Sequence, residues 1–152
     1  MKLGRFEIGG RRRLGAFEKE WAIDLNAAYE LLLIDRETIQ AEAKADFEIP
    51  NDLVSFIERQ EISMPAAHEA LEYVRKKNYQ GLKCVYPISK VTFRASHRPP
   101  KIVCTGTNYE DYRKLIGIPF SPVPLVFLKS PSSVIGHEAT IYLPIGYGVF
   151  YH

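Results

Sequence analysis

The chain is short of cysteine and of net charge and has no long apolar run, and each shortage removes a class of protein. Its only cysteines, Cys84 and Cys104, are far apart, lie in apolar surroundings and have no second pair or neighbouring His at metal-ligand spacing. That pattern excludes a disulfide scaffold and a thiolate metal site and predicts buried, reduced thiols. A formal net charge of +2 is too small to draw in nucleic acid or an anionic membrane through long-range fields. The one dense basic run, Arg11-Arg12-Arg13, follows Gly9-Gly10 between two short apolar runs and reads as the exposed flank of a β-hairpin. No stretch approaches the roughly 18 uninterrupted apolar residues of a membrane span, and Met1 to Phe6 carries no apolar signal core after its positive charge. Neither nucleic acid nor membrane is expected as a partner, and a cytoplasmic location is. The 46% hydrophobic and 25% charged residues describe a globular chain with a core.

The expected fold class is α+β. Short strand-like runs cover Leu3 to Ile8, Leu14 to Phe17 and Trp21 to Ile23, with Gly9-Gly10 as a turn. Asp24 is placed to cap a helix carrying Ala28, Leu31 and Leu32, and Asp35 to cap a second one reaching Ala45. Pro50-Asn51 opens a third with Leu53, Phe56 and Ile57; Ser63 and Pro65 open a fourth with Ala67, Ala70, Leu71 and Val74, ending near Gly81. Beyond Gly81 proline rises and the apolar residues fall into β-type runs. A small N-terminal α/β domain over residues 1–90 is therefore expected, with Leu82 to Phe93 extended and linker-like, and a second, mainly-β unit over 91–152. In that unit Ile102 to Cys104, Leu125 to Leu128 and Thr140 to Leu143 are strand candidates, the first of them buried, and Asn108 to Ile116 is a short helix.

Two segments place polar groups where chemistry could use them. After the strand at Ile102 to Cys104, Gly106 allows a sharp turn, and Asn108 and Asp111 either start the next helix or face a site held rigid by the strand end. Lys129 directly follows an apolar strand, where it is either solvated or neutralises an anionic substrate group. Tyr109, Tyr112 and Ser130 flank these positions and, with Asn108, are expected to bind substrate, while Asp111 and Lys129 are the expected catalytic residues. Asn108, Tyr109, Asp111 and Lys129 are expected to line one cleft. His68, His97, His137 and His152 read as surface residues, and Gly146-x-Gly148 lacks the strand-to-helix context of a phosphate loop.

The order Arg98-Pro99-Pro100-Lys101-Ile102, Gly106-x-Asn108-Tyr109-x-Asp111, Phe127-Leu128-Lys129-x-Pro131-Ser132, then Gly136, Ile141 and Leu143-Pro144 resembles the fumarylacetoacetate hydrolase family. The strong part covers about a third of the chain; the N-terminal part is similar only through its mixed strand and helix pattern. The resemblance implies a truncated fumarylacetoacetase-type C-terminal domain and chemistry on a small 2-oxo or 1,3-dicarbonyl acid: hydrolytic C–C cleavage, decarboxylation, dehydration or keto-enol isomerisation. It implies a divalent ion, magnesium or alternatively calcium or manganese, chelating substrate oxygens and stabilising an enolate. The family's ligands come from a Glu-x-Glu pair and a later Asp. By its spacing that pair falls at about the residue after His152, so the chain alone is expected to hold no metal and to be inactive. Asp111 is the one metal-ligand candidate. The family's His and Glu that activate water correspond here to Tyr112 and Leu115, which tilts the expectation away from hydrolysis. A homodimer, or a second chain completing a split enzyme, is expected; the competing reading is a non-catalytic interaction module.

Overall fold

A computed structural model describes residues 1–142 and Gly146. Alternation and turn chemistry build its first sheet. β1 (Leu3–Ile8) and β2 (Arg11–Glu18) pair antiparallel from Leu3↔Ala16 to Ile8↔Arg11. Gly9 and Gly10 turn between them at φ of 54° and 75°, the left-handed values a two-residue hairpin turn requires. β3 (Trp21–Asp24) continues the meander. β4 (Val85–Pro87) and β5 (Thr92–Arg94) then add to its two edges, giving the order β4-β3-β2-β1-β5 with every neighbour antiparallel.

This corrects the linker reading of Leu82 to Phe93. Open edges of a three-stranded meander offer unpaired N–H and C=O groups. Even three-residue strands with weak sequence signals dock there, helped by Asp24 N–H donating to the Cys84 carbonyl at 2.8 Å. The first sheet thus reaches Arg94, past the boundary expected at residue 90.

Four helices cover one face of this sheet. Asp24 caps α1 (Leu25–Asp35) by accepting the Ala27 N–H at 3.2 Å. α2 spans Ala41–Glu48, α3 Leu53–Glu58 and α4 Gln60–Lys76. Leu14, Ala16 and Ile23 from the sheet pack with Leu32, Leu33, Phe56, Ala67, Leu71 and Val74 in one core. Three expected helix starts differ. Asp35 ends α1 instead of capping α2, because its carboxylate takes the Tyr73 hydroxyl at 2.9 Å and the Lys77 ammonium at 3.3 Å. Asp52, not Pro50-Asn51, caps α3, accepting the Ser55 N–H at 2.9 Å. Ser63 and Pro65 lie inside α4, where burial of Ala66, Ala67, Ala70 and Leu71 outweighs the interruption by proline.

The opposite face of the sheet carries aromatic rings. Register places Phe6, Phe17, Tyr86 and Phe93 together, with Phe6–Phe17 and Phe6–Tyr86 centroids each 6.0 Å apart and Phe17–Phe93 at 5.1 Å. The rings close over Gly15 and Gly4, which face each other across β1 and β2. His137 meets Phe93 edge-on at 5.7 Å.

The second unit's described part is a two-stranded antiparallel sheet, β6 (Ile102–Gly106) with β7 (Leu125–Lys129), and a short helix α5 (Glu110–Leu115) between them. The whole is mixed α+β. The expected burial of Ile102 to Cys104 does not hold. Val103 is 58% exposed, and Leu125, Val126, Phe127 and Leu128 are all exposed, because no described element packs over the hairpin. Cys104 is half-buried for the same reason, whereas Cys84 is buried as expected. Thr140 to Tyr142 form no strand; Leu143, Pro144, Gly148 and His152 lie outside the described residues. No helix among the described residues is long and apolar enough to cross a membrane.

Candidate functional site

The hairpin positions the candidate residues. β6 ends at Gly106, and Thr107 follows at φ 49°, a left-handed conformation that a β-branched residue adopts only where the surroundings enforce it. The chain thereby swings from the strand into α5. Asn108 does not cap that helix: Tyr109 occupies the cap position, and no side chain bonds there. At the other end Gly117 (φ 71°) turns the chain, with its N–H on the Lys114 carbonyl and that of Ile118 on the Arg113 carbonyl at 3.2 and 3.0 Å, a glycine-terminated helix end. A proline-rich return through Pro119, Pro122 and Pro124 leads back to β7, fixed at its middle by the Ser121 hydroxyl donating to the Val123 carbonyl at 2.9 Å.

Between the end of β6, α5 and this return lies a cavity of about 1120 Å³, of the size that holds a small organic ligand. Thr105, Thr107, Asn108, Arg113, Phe120 and Ser121 are among its lining residues. Of the six candidates from sequence, only Asn108 lines it. Tyr109 and Tyr112 are 74% and 54% exposed, and Asp111 is exposed beside them. Lys129 pairs with Ile102, at the opposite end of the hairpin from Gly106↔Leu125; four residues of strand separate those ends by roughly 13 Å. Ser130 shapes the turn after β7, its hydroxyl 2.7 Å from that of Ser132. The expected single cleft of Asn108, Tyr109, Asp111 and Lys129 is therefore not formed. Antiparallel register is the cause: the end of β6 and the end of β7 lie at opposite ends of the hairpin.

A divalent cation fits poorly among the described residues. Asp111 is the one expected ligand, its neighbour Glu110 is paired with Lys114 at 2.7 Å, and no three His, Cys, Asp or Glu side chains among the described residues are grouped to hold a metal. What sequence reasoning missed is Arg113, the one half-buried residue of α5. Its guanidinium lies 5.2 Å from the Phe120 ring centroid. The only sequence signal was an arginine followed seven residues later by an aromatic.

No family model matches this chain. It is 34% identical over 97 residues to the human protein named "Oxaloacetate tautomerase FAHD2A, mitochondrial", an alignment covering 63% of this chain and 28% of that protein. It is 32% identical over 122 residues to "Oxaloacetate tautomerase YisK" of Bacillus subtilis, covering 74% of this chain and 40% of the relative. A Dictyostelium discoideum "Fumarylacetoacetate hydrolase domain-containing protein 2 homolog" is 25% identical over 134 residues, covering 88% and 36%. The chain thus spans between about a quarter and two fifths of the length of these curated relatives.

Proposed function

This chain is related to the fumarylacetoacetate hydrolase family, and we propose that it forms part of an enzyme that interconverts the keto and enol forms of a 2-oxo acid. The carrying observation is that the human and Bacillus relatives are both named for oxaloacetate tautomerisation; oxaloacetate is the first substrate to test. The reaction moves one proton from the enol hydroxyl to the neighbouring carbon and needs no activated water. Tyr112 and Leu115 suit that limit. Leu115, 82% exposed, has no group that accepts a proton, and Tyr112 stands where the family's water-activating pair has an imidazole.

In this proposal the β6–α5 turn presents Asn108 as a neutral hydrogen-bond partner for a substrate oxygen, and Asp111 is this chain's contribution toward a divalent ion, magnesium first. The described residues do not themselves fit that ion, so no proton step is assigned to it. A second polypeptide covers the hairpin and supplies the remaining carboxylates. Exposure of Leu125 to Leu128 also favours a second reading, a module whose hairpin serves only to bind a partner.

One assay separates them. The enol absorbance of oxaloacetate is followed with this chain alone, and with a polypeptide carrying the complementary part of a relative, in magnesium and in chelator. Faster ketonisation in the magnesium mixture than in either component supports the enzyme. No acceleration by a mixture shown to associate rejects it in favour of the module.

A further inference from the structure

The cavity beside α5 is lined by a cation that pairs with no carboxylate among the described residues. Arg12, Arg13, Arg36, Arg75 and Arg94 each pair with a carboxylate. Arg113 pairs with none of the described residues, although it is half-buried and lines the cavity. The acidic residue nearest in sequence that shares this lining, Glu110, is turned to Lys114 at 2.7 Å. Phe120 supports the guanidinium from one side, which restrains a flexible side chain and lowers the entropy lost when its donors are used. Around it stand neutral hydrogen-bonding groups, Thr105, Thr107, Asn108 and Ser121, and the apolar Ile118 and Val123. A planar, always-charged fork with one face against an aromatic ring and no carboxylate partner among the described residues is the arrangement that takes a carboxylate through two parallel hydrogen bonds.

We infer that Arg113, laid on Phe120, is the carboxylate-binding group of this cavity and takes a small organic carboxylate. One carboxylate meets the guanidinium, while the neutral side chains at the end of β6 meet the rest of the molecule. The inference rests on and deepens the tautomerase reading by naming the group that grips a carboxylate of the oxo acid; the binding site itself is testable without catalysis.

The probe is malonate, a stable dicarboxylate, titrated into the full chain by calorimetry, with malonamide as its uncharged counterpart. Saturable malonate binding that weakens as salt is added, with malonamide bound at least tenfold more weakly, is expected. Arg113→Gln should weaken malonate binding by about tenfold to a hundredfold, the effect of one charge-assisted contact. Arg113→Lys should fall between, keeping the charge without the fork. Phe120→Leu should weaken binding less than Arg113→Gln, because the charge remains. Denaturation midpoints and circular dichroism of each variant check that the return loop is still folded. Malonate binding unchanged in a folded Arg113→Gln, or no saturable binding by the parent chain, overturns the inference. The two readings fail separately. Arg113-dependent malonate binding without ketonisation in the mixture rejects the tautomerase alone, and ketonisation indifferent to Arg113→Gln rejects the carboxylate site alone.

Discussion

Replacing Gly15 by alanine tests how the aromatic face of the first sheet is built. A Cβ at Gly15 would stand 2.4 and 2.9 Å from two carbons of the Phe6 ring and 2.8 Å from the Ile23 carbonyl oxygen. Ordinary carbon contacts need roughly 3.5–4.0 Å, so the ring must move by about an ångström. Phe6 is wholly buried and held between Phe17 and Tyr86, and the carbonyl belongs to the neighbouring strand, so neither yields cheaply. Overpacking of this kind costs about 1–3 kcal/mol. Against it stands a gain of about 0.4–1 kcal/mol from a stiffer unfolded chain, available because Gly15 has no positive φ. The net expectation is a loss of about 1–2 kcal/mol, or roughly 2–8 °C in melting temperature. Gly4 is the internal control: it faces Gly15 across the strands, but its Cβ would meet only the Phe17 ring, at 3.0 Å, which is half-buried and can tilt. Gly4→Ala should stay within about 1 kcal/mol of the parent. The assay is urea unfolding read by fluorescence of Trp21, the chain's one tryptophan, which lies on β3. Adding Phe6→Leu to Gly15→Ala should recover part of the loss, since the carbonyl contact remains. A Gly15→Ala midpoint equal to or above that of the parent refutes this account of the face.

Three further outcomes follow from the polar groups. Burial raises the Asp24 carboxyl above its ordinary range, although the Ala27 N–H and Arg13 oppose the shift. The folded state therefore takes up that proton more readily than the unfolded one, and Asp24's contribution to stability falls as pH rises from the ordinary carboxylate value through the raised one. Asp24→Asn, which keeps the cap, should remain within about 1 kcal/mol of the parent at neutral pH, while Asp24→Ala should lose at least about 1 kcal/mol more; urea midpoints decide. Glu18 is shifted the other way, chiefly by the Arg75 hydrogen bond and then by the Tyr79 hydroxyl against an opposing desolvation. Its stabilisation is present above the ordinary carboxylate value and lost as pH falls through the folded one, so the roughly 0.5–1 kcal/mol lost at neutral pH in Glu18→Gln should vanish in acid. Cys84 is buried and its thiol is pushed up to about 12, by burial first and then by Asp24. Mass spectrometry after native thiol alkylation should find Cys104 modified and Cys84 spared until urea is added.

The legible parts of this molecule are those written in neighbouring residues. Gly9-Gly10 between alternating runs specified a hairpin, Asp24 before an apolar periodic stretch specified a capped helix, and Leu125 to Leu128 specified a strand. The parts that escaped depend on distant residues. Val85–Pro87 and Thr92–Arg94 are strands because β3 and β1 offer edges to pair with, and Pro65 is tolerated because the helix around it is buried. The candidate site divides in the same way. Placement of Asn108 followed from the end of β6, but assigning Lys129 to the same cleft ignored that β7 runs back along β6. Arg113, placed by α5, meets Phe120 through a return whose path the local pattern does not encode.

The order of strands in the first sheet also orders events during folding. β1, β2 and β3 meet through two-residue connections, whereas β5 pairs with β1 across about 85 residues. Closing so long a loop costs chain entropy before any contact rewards it. The meander and its helices should therefore assemble first, and the outer strands should close last, as a late step whose rate depends on how well the helices have already drawn the chain together. A ribosome-bound chain that has not yet released Thr92 would hold a sheet still open along β1, and that edge is the place where a premature partner would add.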